Sequence, residues 1–237
     1  MGCPKNYYGI AAAIALISSN SFATTVALGP SQDVTLYEDS TGQLANGAGE
    51  GIFAGRVGTN TAGKLRRALI KFDVSAIPAS ATITSVSLAM VSVQGNPPTQ
   101  NSLHRVFASW GEGTSHAGGN EGGGTTAQLN DATWTSRFFG TPLNWATPGG
   151  DFTAAATTTA TVASLGTTTW SGGTIVNDVQ SWVAGPATNF GWLLQGDETV
   201  MSTTMRYDSR QNSTVASRPV LTVIYTPVGA ICDWERY

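Results

Sequence analysis

Charge is what this sequence has least of. Charged residues make up 11% of its 237 positions, with 12 Lys+Arg against 15 Asp+Glu and a formal net charge of −3, where an average soluble domain carries about 25%. Without a cationic surplus there is no electrostatic footprint for nucleic acid or for an anionic membrane surface, which removes both as partners. Cysteine and histidine are nearly missing, at two residues each. That excludes a cysteine-built zinc centre. The one long apolar run, Tyr8 to Ile17, is shorter than the roughly 20 residues that cross a bilayer. What fills the space instead is glycine, at 28 residues, with Thr and Ser throughout. This is the composition of strands and turns rather than of a helical bundle.

Lys5, the run Tyr8 to Ile17 and the small residues of Ser21-Phe22-Ala23 together read as an export signal cleaved after Ala23. Cleavage takes Cys3 with it and leaves Cys232 as a lone thiol, so no intrachain disulfide is expected in the secreted chain. The expected division is a signal peptide over 1–23, one domain over 24–227 and a short polar tail over 228–237, with extracellular localisation and no membrane span after cleavage.

Between Asp33 and Pro227, short β segments alternate with Gly, Pro, Asn and Ser clusters. In Arg67 to Val74, Ala68, Ile70, Phe72 and Val74 point one way and Lys71 and Asp73 the other, the period of a half-buried strand. Ala81 to Val93 reads as a longer strand whose apolar register changes, which predicts a bulge near Met90. Asp33 to Tyr37, Ile52 to Val57, Ser102 to Ser109, Phe190 to Gln195, Thr204 to Asp208 and Pro219 to Tyr225 bring the number to about eight. The expectation is an all-β, jelly-roll-like two-sheet sandwich with one short helix. That helix is read over Thr174 to Ala184, where Ile175, Val179, Trp182 and Val183 fall at helical spacing before Gly185-Pro186. Gly111 to Thr126 and the Ala/Thr-rich Thr153 to Thr169 are read as surface excursions.

Several blocks resemble, in order, the disaggregatase-related repeat family, often labelled DNRLRE. They are Arg67 to Pro78 running into Ala81 to Leu88, then Trp110-Gly111-Glu112-Gly113, Asp131-Ala132-Thr133-Trp134, Pro148 to Phe152, Asp178 to Trp182, Gly191 to Leu194 and Arg218 to Tyr225. The resemblance covers about Gln32 to Pro227. It implies a β-sandwich of exported proteins, similar to carbohydrate-binding modules and in some members attached to enzymes that break down polysaccharide. A frequent Phe-x-Ser-Arg-Glu of the family stands here as Tyr207-Asp208-Ser209-Arg210-Gln211, without the final carboxylate.

Catalytic signals are sparse. No Gly-x-Ser-x-Gly elbow and no His-Glu-x-x-His helix is present. His104 lies in a strand-like run beside Arg105, and His116 sits in a glycine-rich loop that would position it badly as a general base; neither is read as catalytic. Glu112, Glu121, Asp131 and Asp151 border the loops, but nothing in their spacing selects the facing pair that glycoside hydrolysis needs. Lys64 to Arg67 reads as a solvated strand entry, with contact to an acidic polysaccharide as the alternative. Trp182 and Trp192 have core spacing. Trp110, Trp134, Trp145 and Trp170 lie in or beside loops and either fold back over the sandwich or stand outward. In the second arrangement Trp110, Trp134 and Trp145, with Asn130, Asp131 and Asn144, form a sugar-stacking platform, since saccharides need flat apolar faces and amide or carboxylate partners. Asp33, Glu38 and Asp39 are candidate ligands of a structural calcium ion. The reading is an exported, non-catalytic module for cell-surface or matrix polysaccharide. The alternatives are an adhesive module that contacts another protein, or a polysaccharide hydrolase or lyase.

Overall fold

The computed structural model describes residues 22–58 and 64–227. Most of the segment expected to be an export signal, Cys3 and Cys232 lie outside these residues. Among the described residues no helix is long and apolar enough to cross a membrane.

The alternation read from the sequence builds an all-β sandwich from one large antiparallel sheet that curls into two layers. The front layer holds β1 (Thr24–Leu28), β6 (Thr82–Gln94), β10 (Gly166–Ser171), β12 (Met205–Asp208) and β13 (Val220–Thr226). The back layer holds β2 (Pro30–Tyr37), β5 (Leu65–Phe72), β7 (Thr99–Arg105), β9 (Thr158–Val162) and β11 (Trp192–Gln195). A separate pair, β3 (Leu44–Ala45) with β8 (Thr125–Thr126), ties two loops together. β4 (Gly51–Arg56) belongs to both layers: residues 51–54 pair with β12 and residues 55–56 with β5. Gly55 marks the switch. Its φ is +119° and a Cβ there would lie 2.6 Å from the Thr203 carbonyl oxygen, so the strand changes layer at a position only glycine can occupy.

The main core lies between the layers, where Ile70, Phe72, Leu88, Met90, Leu103, Trp170, Trp192 and Tyr207 are fully buried. Helix α1 (Ile175–Ala184) closes one end. It lays Trp182 on Trp192 with ring centroids 4.5 Å apart, and its buried Asp178 accepts hydrogen bonds from Trp192 Nε1 at 2.9 Å and Thr157 Oγ1 at 2.7 Å. Among the described residues the eight strands and the helix read from sequence are all present, with ends shifted by a few positions.

Four expectations are corrected. The bulges of β6 fall at Thr84 and Val93, not near Met90, because Val86, Leu88 and Met90 hold one inward register against β13 and β10. Thr153 to Thr169 is not an excursion: it supplies β9 and most of β10, strands whose small residues gave no hydrophobic alternation to read. Trp170 is core, and its Nε1 donates to the Asn101 carbonyl oxygen at 2.9 Å. Gly111 to Thr126 lacks apolar mass but is pinned by polar groups. Tyr37 Oη donates to the Glu121 carbonyl oxygen, Asn46 Oδ1 accepts from Ala117 N–H, and the buried Glu121 carboxylate accepts from the N–H groups of Glu50 and Gly51.

Candidate functional site

A second apolar cluster lies outside the sandwich. Val34 of β2, Leu69 of β5 and Leu193 of β11 point away from the main core, in register across three adjacent strands. A sheet face this apolar needs cover, and the segment from Val106 to Phe152 provides it. Its anchors are the three loop tryptophans. Trp110, Trp134 and Trp145 are 3%, 8% and 5% exposed. Trp110 Nε1 donates to the Phe190 carbonyl oxygen at 2.9 Å and Trp145 Nε1 to the Thr133 carbonyl oxygen at 3.0 Å. Trp134 carries the Arg67 guanidinium over its ring at 5.0 Å.

The outward platform read from the sequence is therefore replaced by a buried second core. Asp131 is fully buried, and its carboxylate accepts from the N–H groups of Thr114, Ser115 and Gln128. Asn130 is exposed and takes a positive φ of 70° in a turn, and exposed Asn144 accepts from Ser136 Oγ at 2.9 Å. The structure does not bring these six residues to one open surface. Nor is Lys64 to Arg67 solvated throughout: Arg66 is buried, and Arg67 makes a two-pronged ion pair with Glu198 at 2.6 and 2.9 Å while facing Trp134 and Phe152.

The calcium candidates are likewise dispersed. Glu38 Oε2 accepts from the N–H groups of Lys64 and Leu65, and Asp39 caps its own turn through Thr41 and Gln43. Asp33 is buried beside Glu112 and accepts from Arg210 N–H. Burial pushes its carboxyl up to about 7; Glu112 adds to the rise, and the Arg210 N–H and guanidinium oppose it. Glu112 itself forms a forked ion pair with Arg210 and accepts from Gln211 Nε2. Among the described residues no three His, Cys, Asp or Glu side chains converge as a metal-binding set.

The four acids weighed for glycoside hydrolysis are held apart by separate duties. Glu112 pairs with Arg210, Glu121 with Arg206, Asp131 ties loops together, and Asp151 accepts from Ala146 and Thr147 N–H.

The front layer shows a different outward face, and on it lies an open groove of about 330 Å³. Arg206 of β12 stands in register with Phe53 of β4 on one side and Gln94 of β6 on the other. Neighbouring strands point register partners to the same side, so these three side chains form one row across the sheet. Phe53 is buried, with the Arg206 guanidinium 6.0 Å from its ring centroid. Asn96 and Asn120 flank the row from loops, both exposed, and exposed Ser202 adds a hydroxyl. Arg206 Nη2 lies 3.3 Å from Glu121 Oε2 and Nη1 3.8 Å from Asp208 Oδ1, so two carboxylates surround the one guanidinium. The groove is rich in donors and acceptors without a net positive charge.

Sequence reasoning did not find this groove, because Gln94, Asn96, Asn120 and Arg206 come from three distant segments and match no spacing motif. No protein-family model matches this chain, and no curated protein is similar to it at a significant level.

Proposed function

We propose that this chain is an exported module that binds neutral polysaccharide in the front-layer groove, holding its ligand rather than cleaving it there. The observation that carries the reading is the row Gln94, Arg206 and Phe53 with the carboxamides of Asn96 and Asn120 beside it. Amides and a guanidinium offer the paired donors and acceptors that sugar hydroxyls need, while buried Phe53 backs Arg206 from beneath. Because Glu121 and Asp208 already balance Arg206, an anionic polymer gains little attraction here. The resemblance of the ordered sequence blocks to the DNRLRE family favours the same reading.

The test is binding of the full chain to immobilised neutral and acidic glycans. Neutral glycans are expected to bind, and Asn120→Ala to weaken binding by about tenfold, the loss of one or two hydrogen bonds at about 1 kcal/mol each. Absence of binding across both classes, or binding unchanged by Asn120→Ala, would remove the groove from the account.

A further inference from the structure

The back layer carries, beyond the edge of its loop cover, an arrangement that the binding function does not use. Ser102 and His104 are two apart on β7 and point to the same outward side. Ser102 Oγ lies 2.8 Å from His104 Nε2, and His104 Nδ1 lies 2.8 Å from the Thr153 carbonyl oxygen. A carbonyl can only accept, so in the neutral imidazole Nδ1 bears the proton and Nε2 turns its lone pair to the serine hydroxyl, with the Gln195 carbonyl oxygen a more distant acceptor at 3.4 Å.

The base is also held in place. Phe152 meets the His104 ring edge-on with centroids 5.3 Å apart. Thr153 is fixed to β7 by its N–H donating to the Arg105 carbonyl oxygen at 2.9 Å and its Oγ1 accepting from Arg105 N–H at 3.1 Å. Nucleophile, base and an orienting acceptor are thus aligned, with a backbone carbonyl where a carboxylate often serves.

Ser102 and His104 line an open cleft of about 470 Å³. Gln195 is the register partner of Ser102 on β11, and Gln100 precedes Ser102 by two on β7, so their carboxamides stand on the same side and border the cleft. Side-chain amides are among the donors that stabilise a developing oxyanion. The short side chains of Ala154 and Ala156 at the cleft wall leave room for an acetyl-sized group.

We propose that Ser102 is an acyl-accepting nucleophile and His104 its general base, acting on short-chain O-acyl esters. Oγ bonds to the ester carbonyl carbon while its proton passes to Nε2; the bond from that carbon to the alcohol oxygen breaks, and the alcohol leaves with the proton from Nε2. Water then attacks the acyl-serine, giving a proton to Nε2, and the carboxylic acid departs as Oγ recovers that proton.

The test uses the full chain with a fluorophosphonate probe, mapped by peptide mass, and with p-nitrophenyl acetate turnover. Label on Ser102 and measurable turnover are expected, both lost in Ser102→Ala, with His104→Gln slowing labelling about 100-fold or more. Thermal unfolding checks that each variant folds. Ser102→Cys keeps the packing if the others fail: iodoacetamide should alkylate that thiol faster with His104 present than in Ser102→Cys/His104→Gln. An unlabelled chain, label on another residue, turnover surviving Ser102→Ala, or equal alkylation with and without His104 would each overturn the proposal and leave only a structural hydrogen bond.

Discussion

The two layers of the sandwich turn opposite outward faces to the solvent. On the back layer Val34, Leu69 and Leu193 make that face apolar, and nearly fifty residues of loop cross it to bury them under Trp110, Trp134 and Trp145. On the front layer the outward positions of β6 and β13 mix Ser85, Ser87 and Thr222 with Ala89, Val220 and Ile224, and among the described residues no second cluster of buried aromatics covers them. Loop-borne aromatics therefore report what the strands beneath them need. A ligand groove appears where no cover was required.

The sharpest way to break that comparison is to remove an anchor of the cover. Trp145→Ala is expected to destabilise the protein by about 3–5 kcal/mol, as for an aromatic in an ordinary core, measured by urea unfolding. An outward, ligand-stacking tryptophan would lose little stability and much binding. Trp145→Ala in the residual folded fraction should bind glycans as the parent does, since the groove lies on the other layer.

The layout of the main core was legible because alternation in Arg67 to Val74 and in Ala81 to Val93 assigns one face of each strand to the interior. The second core was legible in principle too. Ala68-Leu69-Ile70 and Trp192-Leu193-Leu194 are unbroken apolar runs, and a strand apolar on consecutive residues buries both faces. Treating Leu69 and Leu193 as members of that pattern would have turned the loop tryptophans inward. β9 and β10 were hidden for a different reason: their Thr, Ala and Gly side chains carry too little apolar contrast, and their place follows from pairing with β7 and β6. The groove and the Ser102–His104 pair depend on register between distant strands, which no local pattern encodes.

Next in size is the seam between β2 and the cover, where Asp33 meets Glu112 and Arg210. The folded Asp33 carboxyl titrates near 7, above its ordinary value of 3.8, so the folded state binds this proton more tightly than the unfolded chain does. Its contribution to stability is therefore full below about pH 4 and is lost as pH rises to 7, on the order of 3 kcal/mol across that window. Denaturant midpoints measured from pH 4 to 7 should fall with this slope, and Asp33→Asn should flatten it. An unchanged slope in the variant would assign the titration to another group.

The smallest expected change in stability lies on the open face. Gln94 is exposed at the rim of the groove, and its carboxamide is free to meet a ligand. Gln94→Ala should leave the unfolding free energy within about 0.5 kcal/mol of the parent, as for surface positions without special geometry, while lowering glycan affinity several-fold. The separation of the two readouts is the point. Under the cover, Val34, Leu69 and Leu193 complete a packed core, so a change there would lower stability and any binding together. On the bare layer the sheet is already stable without its outward side chains, which leaves Gln94, and the amides beside it, free to be chosen for what they touch.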